Sequence, residues 1–152
     1  MEWTVRELAS DETHALRRAV SADGRIDIPS MHHELDDAHG SWHLGATDAA
    51  GRIVAISSFY LIPYPARPEA QPSVELAFMA VDSALQGRGI GSAVMAEAIR
   101  RLTATDAIIL WANARDSALR FYERFGFTSA PGSEYTPPET GRPHRLIELG
   151  LV

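Results

Sequence analysis

Three glycines spaced two residues apart stand directly before a helical pattern. The segment LQGRGIGSAV, residues 85–94, places Gly87, Gly89 and Gly91 where a strand-like run gives way to an amphipathic one. Glycine costs about 0.5–1 kcal/mol relative to alanine in regular structure. Backbone N–H groups at a helix N-terminus bind anions, and glycines let a phosphate approach them closely. The spacing therefore favours an anion cradle, with a strand-to-helix turn that binds no ligand as the alternative.

The loop matches neither of two common phosphate-binding patterns. The dinucleotide fingerprint G-x-G-x-x-G requires a glycine where the chain has Ser92 or Val94, and the P-loop requires a Gly-Lys-Ser/Thr that the sequence lacks. The chain has instead Gln86-x-x-Gly89-x-Gly91 between a strand-like and a helical run. These mismatches disfavour a nucleotide-binding module.

The composition narrows the class of protein. The chain has 152 residues, a net charge of −6 and no cysteine. The absence of cysteine excludes disulfides, thiolate metal sites and a cysteine nucleophile. No apolar run approaches the roughly 20 residues of a membrane span, and the N-terminus lacks an apolar signal region, which together predict a cytoplasmic protein with no membrane partner. The negative charge argues against nucleic acid as a partner and favours cationic substrates.

Hydrophobic periodicity predicts the elements that must position the loop. Apolar runs predict strands in WTVREL, in WHLGATDAAGRIVAISSFYLI around a DAAG turn, and in SVELAFMAV, AIILWA and HRLIELGLV. Helical spacing predicts helices in DETHALRRAV, IGSAVMAEAIRRL and DSALRFYERFG, and a short helix near residues 29–38. This order of elements indicates a single α/β domain, residues 1–152, around a mixed sheet.

Two segments resemble the signatures of a known family. ELAFMAVDSALQGRGIGSAV, residues 75–94, resembles the acetyl-CoA signature of the GNAT superfamily of N-acetyltransferases, with a Gln/Arg-x-x-Gly-x-Gly/Ala motif after a strand that ends in Ala-Val. SALRFYERFGF, residues 117–127, resembles the second signature, and GSEY…GRPHRLIEL is similar to a bacterial branch with a Gly-x-Pro-His segment before the last strand. The resemblance implies a single-domain α/β GNAT fold, with a mixed central sheet of about six to seven strands flanked by helices.

The resemblance also implies an activity. Members of the family transfer an acetyl group from acetyl-CoA, their cosubstrate, to a primary amine by direct attack in a ternary complex. No covalent acyl-enzyme and no metal are required, which agrees with the missing cysteine. The implied acceptor is a small-molecule amine or a protein or peptide amine, and the implied assembly is a monomer or homodimer. A catalytically silent acyl-CoA-binding sensor is the alternative function.

Contacts to CoA follow from the same resemblance. In the family the fourth strand diverges from the fifth, and the pantetheine arm lies in the gap. Family members often have an asparagine where this chain has Arg115, so Asn113 is a candidate replacement, and Arg115 is a candidate for a CoA phosphate or a substrate carboxylate. Arg88 is a candidate to add positive charge near a phosphate, and it is equally well explained as a solvated loop arginine. The implied cofactor-binding residues are Met79, Ala80, Val81, Gln86, Gly87, Arg88, Gly89, Ile90, Gly91, Ser92, Asn113, Arg115 and Ser117.

Two residues are implied to act in catalysis. Tyr122 matches the family tyrosine that donates a proton to the departing CoA thiolate, and a core tyrosine is the alternative. Glu75 matches a catalytic glutamate that some members carry in a similar E-x-A-F-x-A-V strand, and a glutamate on a solvated strand face is the alternative. A carboxylate is useful there because an ammonium must lose a proton before its nitrogen attacks a thioester. A backbone N–H of the fourth strand, such as that of Val81, can stabilise the oxyanion.

The histidines receive different interpretations. His144 in GRPHRL matches a histidine of the family branch and is a candidate for the acceptor pocket, with a plain strand-start histidine as the alternative. The spacing of the other histidines fits no strong metal motif, so we predict a polar loop near the substrate mouth and no metal. That prediction covers His32, His33, His39 and His43, together with Glu34, Asp36 and Asp37. The segments predicted to shape the acceptor pocket are residues 23–41, 61–72 and 132–143.

Overall fold

The sheet is built from seven strands. The computed structural model describes residues 2–22, 24–25, 27–138 and 140–152. Asp23, Ile26 and Glu139, which belong to the predicted acceptor segments, lie outside the described residues. The strands are β1 (Trp3–Leu8), β2 (Trp42–Asp48), β3 (Ile53–Leu61), β4 (Ser73–Val81), β5 (Ile109–Arg115), β6 (Thr128–Ser129) and β7 (His144–Gly150). Their order in the sheet is β1-β2-β3-β4-β5-β7-β6.

The sheet is mixed, as predicted. Strand β4 pairs with β5 in parallel, and every other neighbouring pair of described strands is antiparallel. A crossover that contains a helix joins the parallel pair, which is the connection that parallel strands require. The sequence did not indicate β6, because a strand of two residues has too little pattern to detect.

Helical segments cover both faces of the sheet. Residues Ser10–Thr13 form a 3-10 turn, α1 is His14–Leu16, and Arg17–Ser21 continues it as a π-helical turn. Helix α2 is Ile90–Thr103, and α3 is Leu119–Glu123 after a 3-10 turn at Asp116–Ala118. The three predicted helices are confirmed, although the first is irregular. No helix among the described residues is long and apolar enough to cross a membrane.

The predicted helix near residues 29–38 is wrong. The chain forms turns at residues 34–37, and no helix occurs among the described residues of this segment. Side chains bind the backbone groups that a helix would have used: the His33 amide donates to Asp36 Oδ2 at 2.9 Å, and the Leu35 amide donates to His33 Nδ1 at 3.0 Å. Such local bonds compete with a helix.

The main core lies between the sheet and helices α2 and α3. The predicted apolar stripe of α2, which is Ile90, Val94, Ala98 and Leu102, is buried there. In β4, both Val74 and Leu76 join this core. Because side chains alternate along a strand, Glu75 between them faces the opposite side of the sheet, where Leu16 packs in a second apolar cluster.

A gap opens between β4 and β5, as the resemblance implied. The parallel ladder has three residue pairs, and the last of them joins Glu75 to Trp111. Strand β4 nevertheless stays paired with β3 as far as Val81, opposite Ala55. The carboxyl half of β4 therefore presents one edge to the gap rather than to a neighbouring strand.

Candidate active site

Two adjoining clefts meet at the gap. We call the first, of about 400 Å³, the loop cleft because it lies beside the glycine loop, and the second, of about 520 Å³, the gap cleft because it lies between β4 and β5. Both are lined by Val20, Met79, Gln86, Ala118 and Tyr122. These shared walls make them two ends of one groove.

The glycine loop gives the loop cleft a bare backbone wall. Gly87 and Gly89 have φ of 81° and 85°, values that favour glycine, and a Cβ on either would meet nothing within 4 Å. Gly89 is the N-cap of α2, so the first amide groups of the helix, which have no partner within the helix, lie at the cleft. A Cβ on Gly91 would lie 3.3 Å from Val81 Cγ2 and 3.4 Å from Phe121 Cε1, so this glycine permits close packing. The loop therefore fits an anion such as a pyrophosphate.

The edge of β4 supplies backbone groups to the gap. The Asp82 amide donates to the Val54 carbonyl at 2.9 Å, which makes the neighbouring pair Val81–Ala55 a pair without mutual hydrogen bonds. The N–H and the C=O of Val81 therefore point away from β3 and into the gap. The C=O accepts a bond of 3.2 Å from Gln86 Nε2, and the N–H faces the groove.

Tyr122 stands at the junction of the two clefts. Its side chain is only 8% exposed and makes edge contacts with Phe121 and Phe127, at centroid distances of 5.3 and 5.4 Å. Burial raises the pKa of the Tyr122 phenol to about 12. Its hydroxyl has no hydrogen-bond partner among the described residues, so it is a protonated donor available to a ligand in the groove.

Glu75 lies in the gap cleft on the other side of the sheet. It sits where the β4–β5 ladder ends, opposite Tyr60 of β3 and Trp111 of β5. Burial raises the pKa of its carboxyl from 4.5 to about 7. Within the part of the chain that the structure describes, no ion pair or hydrogen bond engages this carboxylate. The group can therefore accept a proton near neutral pH.

Four other predicted residues line the gap cleft: Asn113, Arg115, Ser117 and His144. Asn113 Nδ2 donates to the Tyr135 hydroxyl at 2.5 Å, and the His144 ring lies 5.9 Å from that of Tyr135. Arg115 donates to the Ser21 carbonyl at 2.9 Å. These contacts form a polar wall facing Glu75.

The predicted CoA contacts divide between the clefts. Arg88 is exposed and lines neither cleft, so its role in binding phosphate stays a prediction. The loop cleft brings together Met79, Ala80, Val81, Gln86, Gly87, Gly89, Ile90, Gly91 and Ser92.

Sequence reasoning missed several residues of the site. Arg124 lines the loop cleft and brings a cation near the glycine loop. Its position two residues after Tyr122 in the second signature was an available signal. Tyr135, the last residue of the GSEY segment and part of the predicted acceptor segment 132–143, contacts Asn113 and His144, although it was not named individually as a site residue. Val20, Leu85, Ala118 and Phe121 also line the loop cleft.

The polar loop predicted from the histidines is partly wrong. His43 and Asp36 are buried, because Asp36 pairs with the buried Arg17 and His43 donates or accepts at Ser58 Oγ at 2.7 Å. Ligand atoms of His14, His32 and Asp36 lie within 4.8 Å of one another, as at a metal site. Both carboxylate oxygens of Asp36 already accept hydrogen bonds from Arg17, however, and the guanidinium would repel a metal cation there.

Comparison with known proteins agrees with this geometry. Residues 3–127 match the model of the acetyltransferase (GNAT) family. An N-acetyltransferase from Staphylococcus aureus Mu50 has a similar structure, with a TM-score of 0.74, 16% identity and coverage of 100% of both chains. The ribosomal-protein-S18-alanine N-acetyltransferase from Escherichia coli gives a TM-score of 0.69 at 17% identity, covering 99% of this chain and 94% of its own.

A third similar structure holds a ligand. It is an aminoglycoside 6′-N-acetyltransferase complexed with coenzyme A, with a TM-score of 0.75, 12% identity and coverage of 98% of this chain and 97% of that one. No curated protein sequence matches the chain. At these identities the structural likeness establishes the fold.

Proposed function

Because the chain belongs to the acetyltransferase (GNAT) family, we propose that it transfers an acetyl group from acetyl-CoA to a primary amine. The amine attacks directly in a ternary complex, without a covalent acyl-enzyme. One observation carries the proposal: Glu75 and Tyr122 lie on opposite faces of the sheet and line the same gap cleft. This arrangement supports the proposal, because the proposed proton acceptor and proton donor would act from the two sides of one groove.

The loop cleft is the proposed site of the cosubstrate. The bare amides of the glycine loop and the N-terminus of α2 would hold the pyrophosphate, and the gap-facing edge of Met79–Val81 would hold the pantetheine arm. The thioester supplies an activated acyl carbon and a thiol leaving group. Arg88 belongs to the glycine loop and Arg124 lines the loop cleft, so both are candidates for the remaining phosphate charge.

Glu75 is the proposed base for the acceptor. An alkylammonium with a pKa near 10.4 is almost wholly protonated at pH 7 and carries no free lone pair. The Glu75 carboxylate, with its pKa raised to about 7, attracts the cation and takes one proton, directly or through water. The freed nitrogen lone pair then forms the bond to the acyl carbon.

Val81 and Tyr122 are proposed to stabilise the charge that this attack creates. The Val81 N–H points into the gap and can donate to the acyl oxygen as it becomes negative. The acyl C=O then re-forms as the C–S bond breaks and its electron pair leaves with sulfur, and the nitrogen gives up its second proton to solvent, which leaves the neutral amide. The Tyr122 hydroxyl donates to that sulfur, and its raised pKa keeps it protonated for this task.

The acceptor and the setting of the reaction are proposed in coarser terms. Two of the similar structures are N-acetyltransferases named for an aminoglycoside and for an alanine of a ribosomal protein, so this fold serves both small-molecule and protein acceptors. We expect a small-molecule, peptide or protein amine here. The proposed mechanism requires no metal, nucleic acid or membrane. A cytoplasmic location and a monomeric or homodimeric assembly stay predictions.

An amine panel tests the proposal. Purified protein is given acetyl-CoA and a set of amines, free thiol is followed by absorbance, and products are identified by mass spectrometry. We expect thiol release coupled to an acetylated amine. Tight CoA binding without turnover on any amine would favour the sensor function, and failure to bind CoA would contradict both.

A further inference from the structure

We propose that the buried Arg17–Asp36 pair holds Phe78 in place and thereby keeps strand β4 in the bulged conformation that it has beside the groove. We call this arrangement the clamp. The consequence for ligand binding rests on the proposed function, because it assumes that CoA binds along Met79–Val81. The structural part of the proposal, that Arg17 and Asp36 fix the conformation of Phe78, does not depend on CoA.

The bend in β4 is a bulge centred on Phe78. Ala77 pairs with Ser58 and Ala80 pairs with Ile56, so Phe78 and Met79 together face the single residue Ser57. Phe78 has φ of 55° and is the one described residue other than glycine with positive φ. A bulky side chain disfavours that conformation, so surrounding contacts must hold it.

Arg17 supplies the first of these contacts. Its guanidinium carbon lies 4.1 Å from the centroid of the Phe78 ring, a cation–π distance, and the residue is 0% exposed. Arg17 Nε has no hydrogen-bond partner among the described residues, so hydrogen bonds satisfy only part of this buried guanidinium. The aromatic face of Phe78 is the group that faces it.

A hydrogen-bonded cluster fixes the guanidinium in that place. Arg17 Nη1 and Nη2 bind the two Asp36 oxygens at 2.7 and 2.8 Å, and Nη2 also donates to Ser58 Oγ at 2.8 Å. The Tyr60 hydroxyl donates to Asp36 Oδ1 at 2.6 Å. A buried ion pair is weak evidence for stability, because the loss of hydration offsets much of the attraction. A role in fixing a local conformation explains this cluster better.

His33 completes the clamp from the other side. Its ring stacks on Tyr60 at 4.7 Å and meets the edge of Phe78 at 5.8 Å. The His33 amide also donates to Asp36 Oδ2, so the same carboxylate orders both neighbours of Phe78. Asp36 therefore positions both Arg17 and His33, two groups that contact the Phe78 ring.

The clamp acts on residues of the groove. Phe78 lines the gap cleft and Met79 lines both clefts. If Phe78 returned to negative φ, the bulge would be lost and the pairing of Met79–Val81 with β3 would shift by one residue. A shift of one residue reverses the direction of every side chain and every backbone N–H. The Val81 N–H would then point at β3 instead of into the gap.

Two substitutions of Phe78 separate positioning from packing. Glycine adopts positive φ without strain, whereas leucine does not. We expect Phe78→Gly to bind CoA within about threefold of wild type and Phe78→Leu to bind about tenfold or more weakly, by titration calorimetry. A purely packing role predicts the reverse order, because glycine leaves the larger cavity.

The clamp itself is tested by a variant that replaces its charges with apolar groups. Arg17→Met with Asp36→Leu and Tyr60→Phe leaves no buried charge unpaired, and such replacements often preserve stability. We expect CoA affinity to fall about tenfold and to recover when Phe78→Gly is added. Replacing the surface pair Glu97 and Arg100, which lines neither cleft, with leucine and methionine is the control and should leave CoA affinity unchanged.

The outcomes distinguish this inference from the proposed function. If wild type does not bind CoA, the proposed function fails. If wild type binds CoA but Phe78→Leu binds as well as Phe78→Gly, the positioning role is overturned. The same holds if the folded triple variant keeps full affinity, or if Phe78→Gly does not restore it. Should the triple variant not fold, the comparison of leucine with glycine at Phe78 still decides.

Discussion

Burial raises the pKa of two groove residues, and the chemical consequence differs between them. For Glu75 the pKa of the carboxyl rises from 4.5 to about 7, so the group can both gain and lose a proton near neutral pH. For Tyr122 the change to about 12 keeps the phenol protonated at any working pH. One physical cause, removal from water, thus suits Glu75 to the proposed role of proton acceptor and Tyr122 to the proposed role of proton donor.

The pH dependence of the reaction should report Glu75. We expect kcat/KM of wild type to rise with pH, with an apparent pKa of about 7, because kcat/KM reports the pKa of Glu75 in the free enzyme. Glu75→Gln keeps the size of the side chain but cannot take a proton, so its rate should rise only as the amine itself deprotonates. Parallel profiles of similar magnitude for the two forms would contradict the role of Glu75 as base.

The same shift has a consequence for stability. A carboxyl whose pKa is raised in the folded state costs stability as the pH rises above its ordinary value of 4.5, and the full cost is present above about 7. Glu75→Gln removes that cost. We expect the variant to melt at a higher temperature than wild type at about pH 8 and at the same temperature near pH 4. A difference that does not depend on pH would contradict the burial of this carboxylate.

Tyr122→Phe tests the donor. The substitution keeps the ring contacts with Phe121 and Phe127 and removes only a hydroxyl that has no described partner. We expect kcat to fall by a factor on the order of 10²–10⁴, the range typical of general acid catalysis, while CoA affinity and melting temperature change little.

A second tyrosine provides a matched control. Tyr64 is also buried and its hydroxyl also lacks a partner among the described residues, but it lines neither cleft. Tyr64→Phe should therefore leave kcat unchanged. An equal loss of kcat in both variants would indicate a general structural effect. An unchanged kcat in Tyr122→Phe would indicate that Tyr122 is only a core residue.

At the scale of elements, the glycine loop and β4 together make the groove. The backbone of Gly87 and Gly89 turns the chain so that α2 begins at the cleft, and β4 bulges at Phe78, just past the end of its ladder with β5. The loop supplies amides for the proposed pyrophosphate, and the edge of β4 borders the groove for the proposed pantetheine arm. Neither element therefore forms the site alone.

Gly89→Val tests the loop, and the chain offers a matched control in Gly51. Gly89 has φ of 85° and Gly51 has φ of 83°, and a Cβ on either would meet nothing within 4 Å. Valine should therefore strain the two backbones equally. Only Gly89 lies beside the loop cleft. We expect calorimetry to show CoA binding lost in Gly89→Val and retained in Gly51→Val. Equal affinities would contradict the phosphate cradle.

The elements that sequence could predict are those with a local cause. The strands and the α2 stripe follow from apolar periodicity, and the gap follows from the family signature. The bulge could not be predicted, because ELAFMAV has an ordinary strand pattern and the positive φ of Phe78 depends on Arg17, far away in sequence. The failed helix near residues 29–38 has the same origin: Asp36 is committed to Arg17 and to the His33 amide. For Tyr135 the segment 132–143 was predicted, but its contact with Asn113, 22 residues away in sequence, was not.

At the scale of the whole molecule, the two faces of the sheet have different interiors. One face packs against α2 and α3 in a mainly apolar core. The other combines an apolar cluster around Leu16 with the buried ions Arg17 and Asp36. The proposed donor side of the groove thus rests on the apolar face, whereas the proposed acceptor side rests on a charged interior that acid can disrupt.

The last prediction concerns that acid sensitivity. Burial alone would raise the pKa of Asp36, but hydrogen bonds from Arg17, Tyr60 and the His33 amide hold it well below its ordinary value of 3.8. A carboxyl lowered in this way stabilises the fold above 3.8, and that stability is lost as the pH falls below it. We expect the midpoint of urea unfolding to drop steeply between about pH 5 and pH 2.

Salt and substitution identify the group responsible. Exposed carboxylates such as Glu97, whose pKa is lowered to about 2 by bonds from Arg100 and Arg101, are screened at about 1 M salt, whereas a buried pair is not. The acid-induced loss should therefore persist in high salt. Asp36→Asn leaves Arg17 buried without its counter-ion, which costs about 3–5 kcal/mol at neutral pH, and the remaining stability should depend much less on acid. An acid profile of Asp36→Asn as steep as that of wild type would assign the sensitivity to other carboxyl groups.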